Sequence, residues 1–500
     1  MGLQFQNSPL SYLRMLTHQK QPLEQTQEVR LPEGMSDIGT VLGAWGQVIL
    51  RSKQWNSNSV GLSAGVMVWV LYAPEDGGTP CTVEVWVPFQ QKFDLPDTQG
   101  REGAIHCAFT LAGVDARSTS ARKLFVRVCV DTLLDALMGE KTELYQPQDI
   151  PEDVQLLKNT YPVILPMEAG ERSFELEETL ELPGSCPRLK KIIYYLACPR
   201  LQEKKVLSDK VVFRGSANVR MLYLAEDDLV YSWDFDVPFS QYGELDREYE
   251  PDAAADVRMV LTSAELEPDE QGSLRLNLGM VGQYVVRQRH LLPVTQDAYS
   301  PNRTVQLRSE QLPLPVILDR QDQKITAQQQ LNMEGLRLAD VSFFCRDMLP
   351  RQEGDSGIME LSGQFQVLCY DLEGKLTGTT CRWEQSWTLP TDRDTQLYVR
   401  LSCEPSQGVL SGGGANVESD LILDVQTVAA QGLEAITGLE LGEWQKSSAD
   451  RPSLIICRAG KDGLWSVAKA TGSTVEAIQK ANKLEQEPEP DSLLLIPIHG

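Results

Sequence analysis

The chain has 500 residues, 42% hydrophobic and 23% charged, which is enough apolar surface for several folded cores; at roughly 100–200 residues per domain it has room for three or four. Its formal net charge of −24 repels phosphate backbones and anionic headgroups, so nucleic acid and a bare membrane surface are excluded as favourable partners. No stretch approaches the ~20 apolar residues of a membrane-spanning helix, so no direct membrane insertion is expected.

The chain opens MGLQFQNSPLSYLRMLTHQK, with no basic start followed by an apolar run, and Gln6 stands where a myristoylation signal needs Ser or Thr. Residues 1–24 read as an N-terminal extension. The 10 cysteines form no CxxC pair. Most sit in apolar or alternating runs, such as Phe125-Val126-Arg127-Val128-Cys129, as reduced core thiols do. These features predict a cytoplasmic protein.

One pattern then passes three times. Gly65 to Tyr72 is an apolar strand closed further on by Val87-Pro88-Phe89. Gly215 to Tyr223 is closed by Val237-Pro238-Phe239, and Gly363 to Tyr370 by Trp387. Gly to Tyr spans 7, 8 and 7 residues, Tyr to the closing aromatic 17, 16 and 17, and Gly to Gly 150 and 148. That period is too long for a solenoid repeat and fits whole domains. After each Tyr comes a turn-rich stretch (Ala73 to Gly78, Ala225 to Asp228, Asp371 to Gly374) and then a second alternating strand, which predicts a β-hairpin. Pro88 and Pro238 are expected at strand ends, because proline cannot donate to a ladder. Leu31-Pro32-Glu33-Gly34 and Leu182-Pro183-Gly184-Ser185 open the first two passes. In the third, Leu314-Pro315 lies further upstream and Met333-Glu334-Gly335 takes the nearer place. Further short strands follow in each pass, so the expected fold class is mainly β: three tandem β-sandwich or barrel-like domains over 25–150, 151–295 and 296–442.

After Gly442 the texture changes. Residues 443–452 read as a linker, and 453–498 as a small β-α-α-β module. Leu454 to Cys457 is a short strand, Leu464, Val467 and Ala468 have helical spacing, Thr474 is placed to cap a second helix, and Leu493 to Pro497 is the closing strand.

This module resembles a LysM domain through Gly460, Leu464-Trp465-Ser466-Val467-Ala468, Thr474-Val475, Ile478, Asn482 and Leu495-Ile496-Pro497. It departs from the family in its first turn, Gly460-Lys461-Asp462-Gly463, which is one residue longer. The acidic loop Glu485-Gln486-Glu487-Pro488-Glu489-Pro490-Asp491 is a second departure. In glycan-binding LysM domains these two loops form the sugar groove. The resemblance therefore implies a partner surface at Gly460, Lys461, Asp462, Gly463, Leu464, Trp465, Glu487, Pro488 and Glu489, here altered toward a protein. The three upstream passes resemble the SPOCS domain of spore-coat assembly proteins, through the Leu-Pro openings, the Gly-to-Tyr strands, the Pro-Phe pairs and Asp297-Ala298-Tyr299-Ser300-Pro301. The resemblance implies a scaffold in the mother-cell cytoplasm at the forespore surface. Its implied partners are a coat-basement ATPase and other coat proteins, with peptidoglycan as the alternative.

No catalytic constellation is legible, so an enzyme is not expected. The 4 histidines are far apart in sequence. His106 and Cys107 are strand neighbours that point to opposite faces. No GxxxxGK[ST] run exists, and Ser411-Gly412-Gly413-Gly414 has no helix after it, as a phosphate cradle would need. No cofactor or metal is expected. Trp465 reads as a partly buried core residue at helical spacing, with ligand stacking as the other reading.

Overall fold

A computed structural model of the chain describes residues 3–269, 272–312, 314, 317–332, 337–347, 351–353, 356–390, 395–411, 414–429, 432–444, 453–459, 463–484, 486–489 and 491–498. The nearer opening of the third pass (333–335), Pro315, Gly412 and Gly413, linker residues 445–452, Gly460, Lys461, Asp462, Glu485, Pro490 and His499 lie outside the described residues.

The fold is mainly β, in several small antiparallel sheets. The first six strands are β1 (Phe5–Arg30), β2 (Ile38–Asn56), β3 (Ser59–Pro74), β4 (Cys81–Asp94), β5 (Ala104–Ser120) and β6 (Lys123–Pro147). They form two three-stranded sheets, β1-β6-β5 and β2-β3-β4. The next six are β7 (Gln155–Leu180), β8 (Leu189–Leu207), β9 (Lys210–Ala225), β10 (Val230–Glu244), β11 (Ala254–Pro268) and β12 (Leu274–Tyr299). They repeat the order as β7-β12-β11 and β8-β9-β10.

The third set is broken into shorter pieces: β13 (Arg303–Leu312), β14 (Ile317–Leu331), β15 (Arg337–Asp347), β16 (Arg351–Glu353), β17 (Ser356–Tyr370), β18 (Leu376–Pro390), β19 (Thr395–Cys403), β20 (Gln407–Ser411), β21 (Gly414–Ala429) and β22 (Leu433–Trp444). β14-β21-β19 matches β1-β6-β5, β13 and β22 pair as a separate two-stranded sheet, and β15, β17 and β18 match β2, β3 and β4. The chain ends with β23 (Leu454–Arg458), α1 (Gly463–Thr471), α2 (Val475–Asn482) and β24 (Leu493–Pro497).

Gly65, Gly215 and Gly363 each lie in the central strand of a hairpin sheet, under an aromatic ring. A Cβ would meet Trp86 at 2.2 Å at the first and Phe343 at 2.3 Å at the third; at the second it would run into the Arg200 carbonyl at 1.8 Å before reaching Phe239 at 3.0 Å. The hairpin turns after the repeated tyrosines use the same device. Gly77, Asp228 and Gly374 have φ of 76°, 62° and 78°, and each donates its N–H to the carbonyl three residues back. Tyr72 and Tyr223 are fully buried, and each hydroxyl donates to a carbonyl 36 residues upstream, Ser36 at 2.9 Å and Pro187 at 3.1 Å. Tyr370 instead accepts from the Val230 amide of the second set, at 2.8 Å.

Five expectations change. Residues 5–24 are not an extension but most of β1, paired with β6 from Phe5–Pro147 to Arg30–Lys123. Alternate polar residues face solvent along it, which hides the strand in an apolar-run reading. Residues 296–299 complete the β12–β7 ladder rather than opening a third domain, and β22 runs on to Trp444, past the boundary placed at 442. Pro88 and Pro238 sit inside β4 and β10, which tolerate them because both are edge strands with one unpaired side. Trp383, not Trp387, lies opposite Gly363, four residues earlier along β18.

The sets share cores. One cluster joins Trp45, Val68 and Tyr72 of the first set to Tyr194 and Leu222 of the second and Leu368 of the third. Another joins Tyr12, Val163, Leu292, Leu312 and Ala435 where the long ladders meet.

Candidate interaction surface

The C-terminal module is built on five fully buried or nearly buried side chains: Leu464 and Ala468, one turn apart on α1, Ile478 on α2, and Leu494 and Ile496 on β24. Gly463 starts α1 at φ 76°, a left-handed value that glycine adopts without steric cost. Thr474 caps α2 by accepting from the Ala477 amide at 3.1 Å, and Lys483 closes it in the left-handed region. Glu487 accepts from the Leu464 amide at 3.0 Å, placing a carboxylate at the N-terminus of α1 and tying the acidic loop to the first turn.

Of the expected partner surface, the structure brings Gly463, Leu464 and Glu487 together; Glu487 stays exposed while one of its oxygens is held by the Leu464 amide. Leu464 is wholly buried. Trp465 is half-buried and faces the end of β12: its Nε1 donates to Asp297 Oδ2 at 2.8 Å, and its ring meets Tyr299 edge-on at 4.8 Å. Lys469 reaches the same carboxylate at 2.7 Å, and the Tyr299 hydroxyl donates to the Ser473 carbonyl at 2.9 Å. Burial pushes the Asp297 carboxyl up, but the Lys469 and Trp465 bonds outweigh it and hold the group below the usual carboxylate range. Trp465 is thus a docking residue of the module against the second strand set. Glu489 is exposed, and Pro488 is partly covered.

Another surface emerges on the far side of the hairpin. Leu454, Ile456, Leu493 and Leu495 are 51%, 64%, 68% and 39% exposed, and they alternate along β23 and β24 on the face opposite the helices. The signal was present in the sequence. Leu454-Ile455-Ile456-Cys457 and Leu493-Leu494-Leu495-Ile496 are apolar on both faces, yet a two-stranded sheet with two short helices covers only one.

Between the strand sets lies a buried polar seam. Asp135 of β6 pairs with His18 at 2.5 Å, with Arg258 of the second set, and with Arg400 of the third at 3.5 Å. Burial pushes the Asp135 carboxyl up, but Arg258, His18 and Arg400 outweigh it and leave it well below the usual range. Gln283 bridges to the first set through both backbone groups of Cys107, at 2.9 Å each. His106 and Cys107 are both buried. Burial pushes the imidazole down to about 3 and the thiol up to about 11, so both are neutral at pH 7. Among the described residues, no three His, Cys, Asp or Glu side chains converge as metal ligands. No helix there is long and apolar enough to cross a membrane.

Residues 188–268 match the family described as SipL, SPOCS domain. The matched segment is β8 to β11, one hairpin sheet and the strand after it, in the second strand set. No curated protein and no solved structure matches the chain.

Proposed function

We propose that the chain is a non-enzymatic adaptor of spore-coat assembly: three SPOCS-type domains closed by a LysM-type module that binds proteins. The observation that carries this reading is the recurrence of the matched segment's topology. The strand order of 188–268 reappears in β2 to β5 and, interrupted by the short β16, in β15 to β19. The β-α-α-β order of residues 454–497 supports the LysM reading, and the bonds that Trp465 and Glu487 make within the chain, with Leu464 buried, support a protein partner over a glycan. The proposed partner is a coat-basement ATPase at the forespore surface, reached in the mother-cell cytoplasm; peptidoglycan is the competing ligand. The test is the fate of coat material in sporulating cells that lack the gene. Coat displaced from the forespore supports the reading, and a normal coat with a cell-wall defect contradicts it.

A further inference from the structure

The outer face of the C-terminal hairpin has an asymmetry that selects a mode of binding. In an antiparallel pair, residues alternate between bonding across the ladder and pointing their peptide groups outward. Ala459 donates to Ser492, and Ile498 to Ser453, so the odd-numbered residues of β23 bond to β24. Leu454, Ile456 and Arg458 therefore turn their peptide groups to the outer edge of β23. Among the described residues nothing hydrogen-bonds to the peptide groups of Leu454 and Ile456 there. The opposite edge is closed. The Asn482 side chain takes both backbone groups of Leu495, accepting from its N–H at 2.8 Å and donating to its carbonyl at 2.7 Å. One edge is thus blocked by a side chain, and the other is left open by the described residues, beside four exposed aliphatic side chains.

We propose that the β23 edge receives an extended segment of a partner protein as a third strand, with apolar side chains at alternate positions and basic residues at one end. Main-chain bonds to Leu454 and Ile456 would supply the affinity, and alternate side chains would continue the Leu454, Ile456, Leu493 and Leu495 face. The charge of the segment follows from the acidic corner. Asp491 donates its N–H to the Ala459 carbonyl at the end of β23, and the exposed Glu489 and Asp491 carboxylates stand there on a chain of net charge −24. That charge also weighs against a second copy of this chain as the occupant. The inference rests on the adaptor reading only in taking the module as a protein-binding element.

The test uses the full chain and a fluorescein-labelled peptide with valine and threonine alternating and lysines at one end, with a block peptide of the same composition and the same lysine end as control. The alternating peptide should bind about tenfold or more tightly than the block peptide. Binding should weaken by about tenfold or more in Ile456→Lys and Leu495→Lys, as expected for losing one covered aliphatic side chain. It should be unchanged in Lys480→Gln, at an exposed position on α2. Both lysine variants alter exposed positions, so an unchanged circular dichroism spectrum and melting temperature confirm their folding. No binding, or equal binding by the lysine variants, overturns the proposal. So does a dimer in sedimentation that Ile456→Lys dissolves, which assigns the face to a second copy. Any of these failures leaves the adaptor reading standing, since that reading is tested with the ATPase itself.

Discussion

Trp45 of the first strand set stacks on Tyr194 of the second, with ring centroids 4.4 Å apart and planes 19° from parallel. The Trp45 indole also donates to Ser342 Oγ of the third set at 2.8 Å, and Tyr194 donates to Asp340 there at 2.8 Å. One wholly buried side chain therefore links all three sets. Trp45→Ala should cost about 3–5 kcal/mol, as other buried aromatic truncations do. The check is denaturant unfolding of the full chain. The wild type should unfold its strand sets together, and the variant should separate the transition into resolved steps.

The repeated tyrosines permit a graded comparison. Tyr72→Phe and Tyr223→Phe each remove one hydroxyl–carbonyl bond and should cost about 1 kcal/mol. Tyr223→Ala removes a buried ring and should cost on the order of 3 kcal/mol. Urea midpoints should rank in that order.

This region also shows how much was legible in sequence. The Gly-to-Tyr strands, their turns and their spacing could be read locally because the hairpin sheet is made of neighbours along the chain. The long ladders could not. β1 pairs with β6 more than a hundred residues later, and its alternate polar residues mimic a loop. The seam around Asp135 was hidden for the same reason: His18, Arg258 and Arg400 reach it from 117, 123 and 265 residues away. In the C-terminal module, Trp465 was legible as partly buried, but Asp297 lies 168 residues earlier and only the fold brings it near.

Acid should destabilise the seam through two groups with different windows. His106 has a folded pKa of about 3 against about 6.5 when unfolded. The unfolded state therefore gains a proton first, and stability falls as pH drops below about 6.5 toward 3. Asp135 is also depressed, so its contribution is full above about pH 4 and is lost as pH falls toward its folded value. His106→Gln should flatten the stability profile between pH 6.5 and 4 and leave the lower limb in place; guanidinium titrations at successive pH values measure this.

Asp297 holds the module to the second strand set through Trp465 and Lys469. Asp297→Ala should speed hydrogen exchange in α1 by about tenfold, since losing a charge-assisted bond of this kind costs about 1.5 kcal/mol or more. Exchange in β3 and β9 should not change. Mass-spectrometric exchange on the full chain reads both.

Calorimetry of the full chain tests the proposed adaptor role most directly. Titrated against a purified coat-basement ATPase, it should give a saturable isotherm that weakens with salt, because exposed charges are screened beyond about 10 Å at 0.1 M. Purified peptidoglycan should give no heat and no co-sedimentation. Tight, salt-insensitive sedimentation with peptidoglycan and no heat with the ATPase would contradict the account.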